Sequence, residues 1–378
     1  MAATPKQFNL DLDRFIKPSL TCEYASGLVK QLYNIIVDTI KQLDSYFDQN
    51  FYITVIPENG DKKEYVLKIV NAHHSQDVCF LDAQIRMMIF LNEKGLKCPH
   101  PLLQLNGEYA SLQNINGEKG TFDHMVLLLG YVPGETLSTV DITFDLFYLV
   151  GQHLGAVDVA LKEFQHEGLS TSGFIFSLDA VPPLKEYINM FKEEEKKRVL
   201  QYFISAFEEN VVPNYSKLTR GSIHGDFNEF NILVAMNDCG KNPIRSESYS
   251  YKVCGLIDFG DIQDNYYIFE ISVTIAHLMQ HNKDSITAAG QILAGYLSMF
   301  PLTDLEKDLV FYCVAARLCQ LMIIGMYTYT QNPNNKYILL TSQLAWRALE
   351  LLHRTSKEKV DKMWSQLELS KATKALCD

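Results

Sequence analysis

The sequence predicts an α+β chain in two parts: a small antiparallel β part with one main helix, then a larger, mainly helical part. The chain has 378 residues, which is long for a single hydrophobic core. Its first third carries short β-branched and aromatic runs, whereas most of the remainder has apolar residues at the spacing of helices. The turn signal Tyr131-Val132-Pro133-Gly134 separates the two patterns, so we expect one part over 1–130 and the other over 131–378.

The N-terminal part is expected to form an antiparallel sheet with one main helix. Its predicted elements are a helix over 21–34, strands over 35–40, 51–56 and 64–70, the main helix over 76–94, and strands near 109–112 and 125–129. The segment Pro57-Glu58-Asn59-Gly60 contains an Asn-Gly pair, which is a strong hairpin signal. Gly95 is typical of the residue that follows a helix end.

The C-terminal part reads as long helices with one exception. Helical periods are predicted at about 144–167, 184–210 and from 269 nearly to the end. The exception is 223–262, where strand-like runs over 232–235 and 251–257 enclose a polar loop.

The composition excludes several classes of protein. Apolar residues make up 47% and charged residues 21%, the balance of a soluble globular protein. A net charge of −11 disfavours nucleic acid and anionic membranes as partners, and no obligate protein partner is indicated. The eight cysteines form no CxxC pair, and no secretory or transit signal and no run near the roughly 20 apolar residues of a membrane span is visible. We therefore expect reduced thiols and a cytoplasmic location.

The exceptional segment carries the most informative motif. It reads His224-Gly225-Asp226 and, after four residues, Asn231-Ile232-Leu233, followed later by Ile257-Asp258-Phe259-Gly260-Asp261. A polar loop, a strand, a turn, a second strand and another polar loop would bring Asp226, Asn231 and Asp258 to one end of a strand pair. Phosphoryl transfer needs such groups, because it consists mostly of positioning and charge neutralisation.

The roles follow from the chemistry. Asp226 would orient the attacking hydroxyl and accept its proton, while Asn231 and Asp258 would hold a Mg²⁺ ion that bridges phosphate oxygens. Asn231 has the same offset from Asp226 as in the catalytic loop of protein kinases, and Asp258-Phe259-Gly260 reproduces their metal-binding triplet. His224 is expected to frame the loop through its hydrogen bonds and not to carry a proton.

A phosphate-binding lysine should come from the N-terminal part. Lys68 lies within an apolar strand, where a charge is costly without a partner, and the main helix offers Asp82 as that partner. The loop over 44–50 should cover the phosphates but contains no glycine, so its help would come from Ser45 and Asn50.

The order HGDxxxxNIL followed by IDFGD resembles the aminoglycoside-phosphotransferase and choline-kinase superfamily. This resemblance implies a bilobal protein-kinase-like fold. Further segments are similar to those of the hydroxylysine kinases, among them Asp48-Gln49-Asn50-Phe51, Glu64-Tyr65-Val66-Leu67-Lys68-Ile69 and Val181-Pro182-Pro183-Leu184. The resemblance to them implies transfer of the γ-phosphate to the hydroxyl of 5-hydroxylysine, with GTP as donor. The residues themselves leave the choice between GTP and ATP open.

The substrate contacts are less determined. Asp261 and Asp264 could bind an ammonium group or be solvated turn carboxylates. Arg317 could clamp the substrate carboxylate or belong to a buried ion pair. Glu270, at the start of a helix, occupies a place where the superfamily often has a structural acid that braces the catalytic loop.

Two other readings stay open. The same chemistry could serve another acceptor, such as choline, ethanolamine, homoserine or an aminoglycoside. A catalytically silent kinase-fold binding module is the third reading, suggested by the glycine-free loop and by Asp82 in place of the usual Glu.

Overall fold

The structure is a computed structural model that describes residues 10, 14–57, 60–117, 120–169, 174–236, 251–331 and 337–377. Contacts between residues divide the chain into two compact units. The N-terminal unit comprises Asp11–Pro133 together with His166–Leu169, and the C-terminal unit comprises the rest. The segment His166–Leu169 is called the strap below.

The N-terminal unit is an antiparallel sheet with two helices. Its elements are α1 (Cys22–Tyr33), β1 (Thr39–Leu43), β2 (Gln49–Val55), β3 (Lys63–Ile69), α2 (Val78–Glu93), β4 (Ala110–Gly117) and β5 (Gly120–Gly130). The strands follow the order β1-β2-β3-β5-β4, and every neighbouring pair is antiparallel. The predicted five strands and main helix are therefore present, with bounds shifted by a few residues.

The first helix and the sheet bury one apolar cluster. Val29 on α1, Phe51 on β2 and Leu67 on β3 belong to this cluster and are fully buried. Thr21 caps the start of α1 by accepting a hydrogen bond from Tyr24 N, which satisfies a backbone donor that the helix leaves unpaired. The burial fixes which face of β3 points inward and thereby the place of Lys68 on the central strand.

The strap packs against α2 within the N-terminal unit. A β-carbon at Gly168 would overlap with the backbone oxygen of Cys79, so only glycine allows this close approach. His166 Nε2 lies 3.1 Å from Asp82 Oδ2. The strap thus belongs to the N-terminal unit, although it follows the other residues of that unit by more than thirty positions in the sequence.

The C-terminal unit is mainly helical, and its described residues form two small antiparallel sheets. Its strands are β6 (Glu135–Thr136), β7 (Arg220–Ile223), β8 (Ile232–Met236), β9 (Tyr251–Leu256) and β10 (Gln263–Tyr266). Its helices are α3 (Phe144–Leu161), α4 (Glu194–Asn210), α5 (Tyr267–Leu278), α6 (Ser285–Leu297), α7 (Asp304–Gln331), α8 (Tyr337–Arg354) and α9 (Lys357–Cys377). Strand β8 lies between β6 and β9, and β10 pairs with β7. The pairing of β8 with β9 confirms the predicted strand pair.

Helix α7 is the most apolar long helix of this unit. Its most apolar window has a mean hydropathy of 1.9, and 78% of that window is buried inside the protein. The expectation that no run would approach the composition of a membrane span is wrong for this helix. Its burial is that of the core helix of a globular unit.

Several further details differ from the predictions. The helix expected over 144–167 ends at Leu161, and the stretch expected as one helix over 184–210 divides into a 3₁₀ segment (Pro182–Met190) and α4. In the predicted hairpin turn, Gly60 N donates to Pro57 O at 2.8 Å, while Glu58 and Asn59 lie outside the described residues. The described cysteines are free thiols; Cys239 and the side chain of Cys377 lie outside the description.

Candidate active site

The loop after β7 holds Asp226 in a conformation that depends on the preceding glycine. Gly225 has φ +84°, in the left-handed region that favours glycine. A β-carbon at Gly225 would overlap with the backbone oxygen of Asp261, so this loop and the loop after β9 touch. Gly225 N donates a 2.7 Å hydrogen bond to Oε2 of Glu270, which is fully buried on α5. These contacts fix the backbone immediately before Asp226.

Two amide side chains hold the carboxylate of Asp226. Asn228 Nδ2 donates to Oδ1 at 2.8 Å, and Asn231 Nδ2 donates to Oδ2 at 2.9 Å. The side chain of Asp226 is 23% exposed, so the carboxylate is held in place and is still open to solvent. Burial raises the pKa of the Asp226 carboxyl above its ordinary value, although His277 and Arg317 act in the opposite direction. A positioned carboxylate with increased proton affinity has the properties of a general base.

Asn231 and Asp258 are brought together by the pairing of β8 with β9. Ile257 N donates to Asn231 O at 2.9 Å, which puts the next residue, Asp258, beside Asn231. Asp258 is exposed, has the uncommon φ of +64°, and accepts a 3.3 Å hydrogen bond from Gly260 N. Asp226, Asn231 and Asp258 therefore converge at one end of the strand pair, as the motif predicts.

The oxygen atoms of this loop pair fit a hard divalent cation. Asn231 Nδ2 donates to both O and Oδ2 of Asp226, so the amide oxygen is the atom that can bind a cation. Asp258 adds an exposed carboxylate. Mg²⁺ usually binds one or two protein oxygens together with phosphate oxygens of a substrate. Asn231 and Asp258 are the residues that would hold it here.

His224 frames the loop from the buried side. Its ring packs edge-on against Phe259, with 5.0 Å between the ring centroids, and its Nδ1 accepts a long 3.4 Å hydrogen bond from Asp226 N. Burial lowers the pKa of His224 to about 4, so the ring is neutral near pH 7. These are the contacts of a residue that positions the two loops and does not take part in proton transfer.

Glu270 is a buried acid under the same loop. Burial raises its pKa to about 8, although the hydrogen bond from Gly225 N acts in the opposite direction. Its Oε1 has no hydrogen-bond partner among the described residues. The geometry is that of an acid that braces the loop through its backbone.

The predicted substrate residues are engaged by the protein itself. Arg317, on α7, is 2% exposed. Its Nη1 donates to Phe176 O and to Gln320 Oε1, both at 2.7 Å. Its Nη2 lies 3.7 Å from Asp226 Oδ1. This geometry is that of the buried ion pair, not of a free carboxylate clamp. Asp264 accepts from Arg220 Nε at 3.1 Å on the β7–β10 pair, so its carboxylate is already paired. Asp261 contacts Gly225 through its backbone.

Lys68 in the N-terminal unit has a different partner from the predicted one. Lys68 is 9% exposed, and its Nζ lies 2.9 Å from Asp48 Oδ2. Asp82 instead lies 3.3 Å from Arg86 and 3.1 Å from His166, so the predicted pairing of Lys68 with Asp82 is wrong in this structure. The acid comes from the residue before β2, because β2 and β3 are adjacent and Lys68 is registered with Asn50.

The glycine-free loop before β2 is organised by Asp48 and Ser45. Ser45 Oγ donates to Asp48 O at 2.5 Å, and Asp48 Oδ1 accepts from both N and Nδ2 of Asn71 at 2.9 Å. Burial alone would raise the pKa of Asp48, but Lys68 and Asn71 hold it below its ordinary value. The Oδ1 of Asn50 is buried and has no hydrogen-bond partner among the described residues. Of the predicted phosphate-contacting residues, Ser45 therefore lies in this loop and Asn50 lies at the start of β2.

Several residues of the site were not found from the sequence. Asn228 lies inside the motif but has the signature of an ordinary turn residue, and Asp48 was seen only as part of the loop. Glu229, His277 and Gln320 contact one another or Arg317 across separate elements. An acid next to the motif is a weak signal, and nothing in the local sequence of α5 or α7 predicts these contacts.

Comparisons with known proteins agree with this geometry. A family model described as "Phosphotransferase enzyme family" matches residues 39–306. Hydroxylysine kinase of Xenopus laevis is 35% identical over 354 residues, which covers 92% of this chain and 94% of that protein. Hydroxylysine kinase of Mus musculus is 32% identical over 355 residues and covers 92% of this chain and 93% of that protein.

The fold agrees with a solved kinase structure. Amicoumacin kinase hAmiN, in complex with AMP-PNP, Ca²⁺ and Ami, superposes with a TM-score of 0.65 over 89% of this chain and 96% of that one, at 12% identity. The predicted α+β kinase-like fold and the resemblance to the hydroxylysine kinases are both confirmed. By its sequence over most of its length, and by its fold, the chain belongs to the phosphotransferase enzyme family, among the phosphotransferases that act on an alcohol group.

Proposed function

We propose that the protein transfers the γ-phosphate of GTP or ATP to the side-chain hydroxyl of 5-hydroxylysine. The single observation that carries this proposal is the convergence of Asp226, Asn231 and Asp258 at one end of the β8–β9 pair. The acceptor is taken from the hydroxylysine kinases, which match more than nine-tenths of the chain. Any small amino alcohol would need the same transfer chemistry, so the acceptor is the part that the experiment must decide.

In the proposed reaction, Asp226 orients the acceptor and receives its proton. The hydroxyl oxygen attacks the γ-phosphorus, its proton passes to the Asp226 carboxylate, and the bond from the γ-phosphorus to the bridging oxygen breaks to leave the nucleoside diphosphate. Asn228 and Asn231 each donate to a different oxygen of the carboxylate, and each oxygen keeps a second lone pair that can accept from the hydroxyl. A raised proton affinity favours this transfer.

The Lys68 ammonium is assigned to the nucleotide phosphates, and Asn231 and Asp258 are assigned to a divalent metal. A divalent metal, when bound, neutralises the charge on the phosphate oxygens and keeps them aligned with the acceptor. We propose Mg²⁺ for this metal. The related fold of amicoumacin kinase, whose structure contains AMP-PNP and Ca²⁺, supports a nucleotide and a divalent cation in this role. Lys68 is oriented by Asp48, which holds the ammonium in a fixed direction.

The test is turnover with a panel of acceptors and both nucleotides. Purified protein with Mg²⁺ and GTP or ATP is expected to phosphorylate 5-hydroxylysine with a higher kcat/KM than choline, ethanolamine, homoserine or an aminoglycoside. Preference for another acceptor would correct the substrate, and loss of all transfer in the presence of bound nucleotide would support a binding protein instead.

Two variants separate the assigned roles. Asp226→Asn should lower kcat by about 10²-fold or more and leave nucleotide binding nearly unchanged, because the base is lost but the metal ligands stay. Asp258→Asn should instead raise the Mg²⁺ concentration needed for half-maximal rate, and Asn tolerates the positive φ of this position. Full activity of Asp226→Asn would exclude Asp226 as the base. The site of action is proposed to be the cytoplasm, where the free thiols would stay reduced.

A further inference from the structure

A buried polar chain connects Asp226 to two histidines of the C-terminal unit. Arg317 Nη2 lies 3.7 Å from Asp226 Oδ1, and the same nitrogen lies 3.2 Å from Nε2 of His277. On its other side, His277 Nδ1 faces Glu229 Oε2 at 3.6 Å, and Glu229 Oε1 lies 3.0 Å from His281 Nε2. None of these residues is among those assigned above to the metal or to the nucleotide.

The guanidinium of Arg317 determines which ring nitrogen of His277 carries the proton. A guanidinium has only N–H donors, and both Nε and Nη2 of Arg317 point at Nε2 of His277, at 3.4 and 3.2 Å. Nε2 must therefore be the unprotonated acceptor, and the ring proton must be on Nδ1. The Glu229 carboxylate faces that N–H and favours this tautomer by charge.

The same contacts fix the orientation of Arg317. Its Nη1 is used by Phe176 O and Gln320 Oε1, and its opposite edge is held by His277. The planar guanidinium is thus oriented on both sides, with Nη2 facing the carboxylate of Asp226. Without the acceptor at His277, this edge would be free to turn away from Asp226.

We propose that His277 is a positioning residue for phosphoryl transfer: its unprotonated Nε2 holds the Arg317 guanidinium against Asp226 and thereby keeps the base aligned. This proposal rests on the proposed function, in which Asp226 is the general base. Misalignment of a reacting group by about 1 Å can lower a rate by as much as 10²-fold. The effect is expected in kcat and not in nucleotide binding.

Two amide substitutions at His277 form a matched pair. In His277→Gln, the side-chain oxygen can reach the position of Nε2 and accept from Arg317, whereas the shorter amide of His277→Asn reaches only the position of Nδ1. We expect His277→Gln to keep kcat within about threefold of wild type and His277→Asn to lower it by about tenfold or more, with KM for the nucleotide and the melting temperature similar in both.

His281→Asn is the control for a general disturbance of the cluster. It removes the contact with Glu229 Oε1 but leaves the contact between His277 and Arg317 intact, so kcat should stay near that of wild type. Equal kcat values for His277→Gln and His277→Asn would overturn the proposal, whether both are near that of wild type or both are lowered. A wild-type protein with no transfer to any acceptor would instead contradict the proposed function.

The tautomer of His277 gives a test that needs no turnover. Two-bond ¹H–¹⁵N spectra of histidine-labelled protein should include a ring with a proton on Nδ1 and none on Nε2 whose signals are missing from His277→Gln. A proton on Nε2 of His277, with the ring assigned through its own backbone signals, would overturn the proposal even if the His277 variants failed to fold.

Discussion

Asp48 Oδ2 lies 2.9 Å from Lys68 Nζ, and both side chains are largely removed from solvent. Asp48 directly precedes β2 and Lys68 lies on the adjacent β3, so the pair is set by the pairing of these strands and does not depend on the position of a helix. Asn71 donates two hydrogen bonds to the other carboxylate oxygen of Asp48. The lysine is therefore held by a rigid support within one unit.

Asp48→Asn should weaken both stability and catalysis. The substitution breaks the ion pair of Asp48 with the largely buried Lys68 ammonium, which is expected to lower the unfolding free energy by about 2–3 kcal/mol. Because the ammonium is no longer oriented, KM for the nucleotide should also rise by about tenfold. Urea denaturation and nucleotide titration measure the two effects.

Asp82→Asn is the matched control for this variant. The Asp82 side chain is 45% exposed and pairs with Arg86 and His166, so its removal should change stability by less than about 1 kcal/mol. A larger loss of nucleotide affinity in Asp82→Asn than in Asp48→Asn would show that Lys68 exchanges partners when nucleotide binds.

Gly225→Ala should disrupt the loop that holds Asp226. The added methyl group would overlap with the backbone oxygen of Asp261. Alanine would also have to adopt φ +84°, a backbone conformation that favours glycine. We expect a loss of about 2–4 kcal/mol in stability and a strong loss of kcat, because the shift moves the base itself. Thermal melting and steady-state kinetics measure these losses.

Gly95→Ala separates backbone strain from the loop contact. Gly95 has a similar φ of +81°, but nothing lies near the position of an added methyl group. Its replacement should cost only about 1–2 kcal/mol, with kcat unchanged. If Gly225→Ala and Gly95→Ala lose the same stability and both keep kcat, the close approach of Gly225 to Asp261 is not what positions the base.

Glu270 should make the stability of the protein depend on pH. Burial raises its folded pKa to about 8, whereas the unfolded value is about 4.3. Between these values the folded protein keeps a proton that the unfolded chain releases, so the contribution of Glu270 is full below the unfolded pKa and decreases as pH rises toward 8. Asp226, whose pKa is also raised, acts in the same direction.

Glu270→Gln should remove this part of the dependence. Gln is neutral at every pH and can still accept from Gly225 N, so the fall in unfolding free energy with pH should become shallower by up to about 1.4 kcal/mol per pH unit. Urea denaturation at several pH values from 5 to 8 measures the slope. Identical slopes in variant and wild type would mean that Glu270 is ionised in the folded protein.

The sequence predicted those parts of the site whose signal is local. Asp226, Asn231 and Asp258 lie in two short motifs next to apolar strands, and strand pairing alone brings them together. Lys68 was found because a charged side chain within an apolar strand is costly to bury unless it has a partner or a function. In the same way, the five strands of the first sheet follow from apolar runs and turn signals.

The parts that were missed depend on contacts across the fold. Strands β7 and β10 are four residues each, too short for a periodic pattern, and each is defined by its pairing with the other. The partner of Lys68 is set by the register of β2 against β3, whereas the prediction took it from the kinase pattern of an acid on a helix. His277 and Arg317 meet only because α5 packs on α7, which no local pattern reports.

The strap has a consequence for how the protein can be divided. Because His166–Leu169 packs on α2, a fragment that stops at Pro133 would lack four residues of its own unit and would expose the surface that Gly168 covers. The polypeptide therefore has no single cleavage point that yields two complete halves. An autonomous first half would have to carry the strap on an added linker, and it should fold less well without it.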